Sequence, residues 1–455
     1  MPTPDPQLRT PMVVAVDMGY GHLRAARPLA RLLGTELVHV DRPPLADAEE
    51  QRLWVRVRRA YEWTSRASQL PGLGRPFRWL LDSVTDIPHL YPLRDLSAPS
   101  QGALALERLV RRGLGRGLCQ RLRETQAPLV TTFYSPAIAA DRNGLDRVFC
   151  VVTDSDVNRV WAPLSPGRAR VHYLAPSQRV VRRLRAYGVP PDCITFTGFP
   201  LPHELVGGPH LPALTRNLAA RLVRLDPSGE FRSAFREELD HFLGPLPSGE
   251  EGRPPLLVFA VGGAGAQAEL ARHFLPSLRP AIEKGRLRLA LVAGVRPEVA
   301  GRFQAALAEA GLEPAPEVVE ILLSRDHDDY FDRFDALLAG ADLLWTKPSE
   351  LVFYAALGLP VVCAQPVGVH ERYNRRWVTE AGAGFRQQGP GFAWQWISDW
   401  LEDGTLAAAA WSGFQRLPKF GTYRVLEAVG RPLDVPGAVS GSGFPPVAAA
   451  ATMPR

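Results

Sequence analysis

The sequence predicts an α/β protein made of two doubly wound, Rossmann-like domains that face a cleft. Three observations predict it. Short apolar runs alternate with stretches of helical periodicity, the pattern of parallel strands joined by crossover helices. That rhythm stops over residues 207–255 and then starts again. The length of 455 residues suits two to three domains at about 150 residues each.

The first apolar run, residues 12–16, reads as a buried strand that ends in the turn Gly19-Tyr20-Gly21-His22. Ala25, Ala26, Leu29, Leu32 and Leu33 follow at helical spacing, and residues 37–40 form the next strand. This βαβ start implies a parallel sheet with ligands at the carboxyl ends of its strands. After a basic stretch, strands recur at 129–133, 148–153, 171–175 and 194–198, each followed by Gly, Pro, Ser or Asp. Residues 177–187 read as a helix that Gly188 ends. Turn-rich pieces at Gly207-Gly208-Pro209 and 245–255 bracket a helical pattern with no strand, as in a linker. The second series places strands at 256–261, 287–293, 318–322, 343–345 and 360–363. From Arg431 the chain turns to Pro, Gly, Ser and Ala with nothing to pack, which reads as a disordered tail. The expected division is a first domain at 1–206, a helical linker at 207–255, a second domain at 256–430 and a tail at 431–455.

Hydrophobic residues make up 46% of the chain and charged ones 22%, which excludes disorder over most of its length. The formal charge is +6, with only three lysines, Lys284, Lys347 and Lys419. Arginine abundance alone therefore says little, but its distribution says more. Residues 52–123 hold 14 Arg, no Lys and five acids, a formal +9 that exceeds the charge of the whole chain. A patch of that kind asks for an anionic partner. Arg52, Arg56, Arg59 and Arg66 share one helical face, with Trp54, Tyr61, Trp63, Phe77 and Trp79 interleaved. Arg and Trp on a helix too polar to span suit an in-plane element on an anionic membrane surface. The alternative is an ordinary surface helix that covers the sheet. Nucleic acid is not expected, because no aromatic RNP strand or Cys/His finger is present.

No run of 18 apolar residues occurs, and the start of the chain lacks the basic-then-apolar order of a signal peptide. Cys119, Cys150, Cys193 and Cys363 have neither metal nor redox spacing. Reduced, buried thiols and a cytoplasmic, membrane-peripheral location are expected.

Several strand ends carry chemistry. His22 stands at the first strand–helix turn, where the helix dipole disfavours its cation and suits a neutral base, unless it only caps the helix. Asp154 follows the 148–153 strand, with Trp161 seven residues on; it can orient a base or cap a loop. The turn Val261-Gly262-Gly263-Ala264-Gly265-Ala266-Gln267 lies between a strand and a helix. Its missing side chains let a diphosphate approach backbone N–H groups, or simply allow a tight turn. It lacks the Lys-Ser/Thr of a nucleotide-triphosphatase loop. Thr346-Lys347-Pro348-Ser349-Glu350 joins a strand to a helix, so Lys347 can meet a phosphate, or the set can be a capping cluster. Pro366-Val367-Gly368-Val369-His370-Glu371-Arg372-Tyr373-Asn374 follows another strand. There Glu371 can accept two sugar hydroxyl protons, Asn374 can serve donors and acceptors, and His370 can touch a phosphate or hydroxyl.

Together and in this order, these pieces resemble the GT-B glycosyltransferases that include monogalactosyldiacylglycerol synthase, processive diacylglycerol glucosyltransferase and the lipid-linked GlcNAc transferase of peptidoglycan synthesis. The residues that carry the resemblance are Gly19, Gly21, His22, Ala25 and Ala26; Val151 to Asp154 with Trp161; Pro176-Ser177; and Thr197-Gly198-Phe199-Pro200. In the second half they are Gly262 to Gly265, Thr346-Lys347-Pro348, Gly358-Leu359-Pro360 and Pro366 with Glu371 and Asn374. The resemblance implies a hexose moved with inversion from a UDP-sugar co-substrate to a lipid hydroxyl, with no cofactor or metal. It makes the first domain the acceptor side, with Gly19 and Gly21 in its turn. It places His22 where the family has its base or acceptor-positioning residue, with Asp154 assisting. It places Glu371 and Asn374 on the donor sugar and Gly263 and Gly265 near the diphosphate. Thr346, Lys347, Ser349, Glu350 and His370 complete the expected donor set. Three positions depart from the pattern. Ser349-Glu350 replaces paired glycines, the family's ribose-binding Glu falls on Phe353, and Val369-His370 stands where the family has Gly-Gln. A non-catalytic sugar-nucleotide or lipid sensor, or a UDP-sugar epimerase or hydrolase of the same fold, is the alternative.

Overall fold

The computed structural model describes residues 9–67, 86–262, 265 and 267–431. Two compact units divide the chain. One comprises Met1–Leu201, Val367–Tyr373 and Phe420–Arg455; the other comprises Pro202–Pro366 and Asn374–Lys419. The expected disordered tail, beyond residue 431, lies outside the described residues.

The first unit is built on strands β1 (Met12–Ala15), β2 (Leu37–His39), β3 (Leu129–Thr131), β4 (Val148–Val151), β5 (Val171–Ala175) and β6 (Ile194–Phe196). They pair in parallel in the order β2-β1-β3-β4-β5-β6. All six are the runs read from the sequence. These strands are mostly apolar because helices cover both faces of the sheet; Val13, Val14 and Ala15 are fully buried. The helix Tyr20–Leu32 packs Leu23, Ala26 and Leu29 inward. The helix Gln178–Ala186 starts where Ser177 Oγ accepts the Val180 N–H at 3.1 Å and stops ahead of Gly188, whose φ is 88°.

The second unit is built on β7 (Leu256–Ala260), β8 (Arg288–Gly294), β9 (Val319–Leu323), β10 (Leu343–Thr346), β11 (Val361–Cys363) and β12 (Gly384–Arg386). Their parallel order is β12-β11-β10-β7-β8-β9. Two doubly wound α/β sheets are therefore present, as the sequence predicts. Strand β12 was not legible, because three residues with one large apolar side chain carry no period. Its pairing with β11, Val361 opposite Gly384, defines it.

Packing redraws the segment boundaries. Residues 207–255 do contain helices and no strand, but they form a layer of the second unit rather than a free linker. Arg221, on the helix Pro212–Arg224, is fully buried and donates to the carbonyls of Ala341 at 2.6 Å, Leu357 at 2.9 Å and Gly358 at 3.1 Å. At the other end, the helix Gly421–Ala428 belongs to the first unit. A Cβ on Gly421 would lie 2.0 Å from the Phe199 carbonyl oxygen, and Thr422 Oγ1 donates to the Leu201 carbonyl. The helix expected after Ser349 is a buried 3₁₀ segment, Glu350–Leu357, ended by Gly358 at φ 67°.

In each sheet the chain reverses its direction of growth once, between β1 and β3 and between β7 and β10. In open α/β sheets such switch points leave a crevice outside the carboxyl ends of the strands, where ligands bind.

Candidate functional site

The first unit's switch point gathers around His22. Strand β1 runs out into Gly19, whose φ of 131° is a conformation L side chains rarely adopt. The helix Tyr20–Leu32 then begins, with Gly21 and half-buried His22 in its first turn. His22 Nδ1 lies 2.8 Å from the Thr132 carbonyl oxygen, just past β3. Thr132 Oγ1 returns a bond of 2.9 Å to the His22 carbonyl. A carbonyl can only accept, so Nδ1 carries the hydrogen. In the neutral ring Nε2 then holds the lone pair. Thr153 Oγ1, at the exit of β4, is 3.2 Å from the same Nδ1, and Phe133 meets the ring edge-on at 4.7 Å. The exits of three adjacent strands thus fix one imidazole and its tautomer. Of these partners the sequence offered Thr153 only as part of a motif and Thr132 not at all. A Thr pair closing an apolar strand was the available signal.

Asp154 follows Thr153 and is half-buried. The loop that carries it is held by a different acid, Asp156. This fully buried carboxylate meets Arg183 Nε at 2.8 Å and Arg179 Nε at 2.6 Å. Trp161, seven residues past Asp154, is a core side chain whose carbonyl accepts the Tyr173 hydroxyl at 2.6 Å. The first unit also contains Val367–Tyr373. Glu371 is 2% exposed, and its Oε2 accepts the Val367 N–H at 2.7 Å, closing the loop onto its own helix. His370 is half-buried and crowds Gly368, where a Cβ would come 2.8 Å from the ring. Asn374 is fully buried one turn after Glu371 on the helix Val369–Glu380. Tyr373 donates to the Ile87 carbonyl at 3.2 Å, and the Arg179 guanidinium lies 4.9 Å over its ring.

The second unit's switch point joins the Gly-rich turn to Lys347. Thr346 is fully buried, and its hydroxyl donates to the Ala260 carbonyl at 2.8 Å, tying the exits of β10 and β7 together. Its side chain is therefore a strand-to-strand brace rather than a free donor. Lys347 is half-buried and lays its stem across Gly262, where a Cβ would sit 2.5 Å from Lys347 Cε. The Gly265 N–H closes the turn on the Gly262 carbonyl at 2.7 Å. Gly265 has a φ of +66°, and a Cβ there would lie 2.9 Å from Val299 Cγ2. Gln267 Nε2 donates to the Gln365 carbonyl at 2.7 Å, which braces the exit of β11. Gly263 lies outside the described residues. The Ser349 N–H folds back on the Lys347 carbonyl at 2.7 Å, and Glu350 is buried. Phe353, where the family pattern counts a ribose-binding Glu, is in the core with its ring 4.8 Å from that of Trp377. A cation beside a glycine turn at strand ends is an arrangement that receives phosphate.

The helix Ala48–Ala67 carries the expected membrane face. Arg52, Arg56 and Arg59 are exposed. Trp54, expected beside them, is instead 1% exposed and donates through its indole N–H to Glu50 at 3.1 Å. Position 54 falls on the side of the helix that covers the core, and Glu50 in turn accepts the N–H groups of Gly115 and Gly117. The side chains of Trp63 and Arg66, like Tyr61, and all of Phe77 and Trp79 lie outside the described residues. Among the described residues no helix is long and apolar enough to cross a membrane, and no cluster of three or more His, Cys, Asp or Glu could hold a metal ion. The four cysteines are free thiols. Burial pushes Cys119 up to about 11 and Cys363 up to about 12, so neither is a thiolate nucleophile near neutrality.

No protein-family model matches the sequence, and no curated protein sequence matches it. Solved structures do resemble it. MnaA from S. aureus, in a UDP co-structure, is 12% identical, with 92% of this chain and 95% of that one covered and a TM-score of 0.49. The UDP-GlcNAc 2-epimerase of Neisseria meningitidis, bound to UDP-GlcNAc, is 10% identical over 91% and 98% of the two chains, with a TM-score of 0.48. MurG from Acinetobacter baumannii is 15% identical over 92% and 99%, with a TM-score of 0.48.

Proposed function

We propose that this chain is a GT-B glycosyltransferase that moves a hexose from a UDP-sugar to the hydroxyl of a diacylglycerol-type lipid, with inversion. The observation that carries the reading is the fixed tautomer of His22: Nδ1–H on the Thr132 carbonyl at 2.8 Å leaves the lone pair on Nε2, as a base requires. The family resemblance supplies the substrate classes. In the reaction the acceptor O–H proton passes to His22 Nε2. The oxygen attacks the anomeric carbon on the face opposite the diphosphate, the bond from that carbon to the phosphate oxygen breaks, and UDP leaves. Lys347, whose stem lies across Gly262, takes up the charge that develops on the leaving diphosphate. Glu371 and Asn374 hold the sugar hydroxyls. Arg52, Arg56 and Arg59 bring the protein to anionic lipid from the cytoplasmic side.

The test is a panel of UDP-sugars, each incubated with and without vesicles that contain diacylglycerol. UDP release that depends on the vesicles and yields a glycolipid by mass spectrometry is expected. His22→Ala is expected to lower kcat at least ~100-fold, the usual contribution of a general base. Sugar-nucleotide turnover without any acceptor would replace the transferase by an epimerase or hydrolase. Donor binding without turnover would make the protein a sensor.

A further inference from the structure

The second unit carries a cavity of about 310 Å³ at the end of its sheet remote from Lys347. Its walls come from Arg216, Asn217 and Arg224 on the helix Pro212–Arg224, from Glu250 and Arg253 ahead of β7, and from Arg288, the first residue of β8. Strands β7, β8 and β10 run parallel. The cavity therefore lies at their amino ends, whereas Gly262 and Lys347 lie at their carboxyl ends. Strand β7 has five residues, so about 16 Å separates the two ends at roughly 3.3 Å per residue. One small ligand does not fill both places.

Charge sets this cavity apart from its surroundings. The second unit has 21 basic and 26 acidic side chains, a formal −5. The cavity wall has four Arg against one Glu, a formal +3. Two of those cations already have partners. Arg224 Nε lies 2.9 and 3.0 Å from the two oxygens of buried Asp342, and its Nη1 meets Glu250. Arg253 Nη1 donates to Glu250 at 2.8 Å. Among the described residues the other two have no acidic partner. Arg216 is exposed and has no acidic or hydrogen-bond partner among the described residues. Arg288 uses only Nε, on the Glu317 carbonyl at 2.6 Å, which leaves its two Nη groups. The helix His327–Gly340 ends at the cavity, and the negative end of its dipole would oppose an anion. Arg221 offsets that by donating to the carbonyls of Leu338 at 3.3 Å and Ala341 at 2.6 Å.

We propose that this cavity is a second anion site, separate from the Lys347 crevice, that holds a phosphate-bearing ligand between Arg216 and Arg288. A phosphate dianion presents three acceptor oxygens to two open guanidinium forks and neutralises most of the local charge. A single carboxylate would match only one fork. The phosphate belongs either to a soluble ester or to a phospholipid headgroup. The inference does not depend on the transferase reading, because none of these residues takes part in it.

The experiment titrates the full chain with inorganic pyrophosphate at low ionic strength by calorimetry, in a Lys347→Ala background that removes the cation of the other crevice. Saturable binding is expected there, and Arg216→Gln with Arg288→Gln is expected to weaken it at least tenfold. Asn217→Asp, which adds a negative charge without touching either guanidinium, is expected to weaken it as well. Retention of the thermal midpoint shows that each variant is folded. Phosphatidylcholine vesicles with and without phosphatidic acid identify the source: competition by the anionic vesicles marks a headgroup, and its lack marks a soluble phosphate. Loss of all pyrophosphate binding with Lys347→Ala, or binding unchanged by the cavity variants, would overturn the proposal.

Discussion

At the scale of single residues, the contacts that matter are those to backbone atoms. A side-chain partner would leave the His22 tautomer open, because a hydroxyl can donate or accept. The Thr132 carbonyl at 2.8 Å removes that freedom. Gly262 shows the same economy in another form. Nothing in its own conformation demands glycine; the stem of Lys347 does, since a Cβ would meet Cε at 2.5 Å. The obstructed atom is near the end of a flexible chain, so Gly262→Ala is expected to leave stability within about 0.5 kcal/mol of the parent while it displaces the ammonium. The KM for the UDP-sugar should then rise by on the order of tenfold, about 1.4 kcal/mol of binding, with the melting temperature nearly unmoved. A KM that does not change would place the diphosphate elsewhere.

Among elements, the loop from β4 to the helix Gln178–Ala186 shows how a site is kept in place by residues that do not belong to it. Asp156 and Arg183 are both fully buried and paired at 2.8 Å. Such a pair adds little net stability compared with apolar residues, but loss of one partner strands a buried charge at a cost of about 3–5 kcal/mol. Asp156→Asn is therefore expected to lower unfolding free energy by roughly that amount in urea titration. The double variant Asp156→Leu with Arg183→Leu should recover much of it, because the one charge then left without its carboxylate, Arg179, is partly exposed to solvent. If Asp156→Asn proves neutral, Thr153 and Asp154 owe their position to something else. The helix Ala48–Ala67 teaches a related lesson. Arg52, Arg56 and Arg59, about one helical turn apart, are exposed along it. Interleaving in the sequence says nothing of which side an intervening residue such as Trp54 takes. The indole turns inward to Glu50 instead.

For the whole molecule, the formal +6 is a sum of two opposed parts. With the second unit at −5, the first carries +11. Attraction to an anionic surface is then a property of one unit, screened over about 8–10 Å at physiological salt. Vesicles rich in anionic lipid should pellet the protein at low salt and release it as salt rises. The triple change Arg52→Glu, Arg56→Glu and Arg59→Glu should abolish co-sedimentation, since each basic residue contributes about 1 kcal/mol near such a membrane. Binding indifferent to both salt and charge reversal would remove the membrane from the functional reading.

The sequence by itself determined the two doubly wound sheets, eleven of their twelve strands and the strand ends at which His22, Gly262 and Lys347 stand. It could do so because a buried parallel strand must be a continuous apolar run, and the residues that end it are those that turn the chain. What only the tertiary structure decided were relations between segments far apart in the chain. They include Thr132 as the partner that sets the His22 tautomer and Asp156 as the acid that anchors the loop of Asp154. They also include the inward side of Trp54, the core place of Phe353 against Trp377, the return of the helix Gly421–Ala428 to the first unit and the arginine cavity drawn from four separate segments. No local period encodes such contacts. They arise when packing brings distant backbones within hydrogen-bonding distance and leaves each buried polar group to find its partner there.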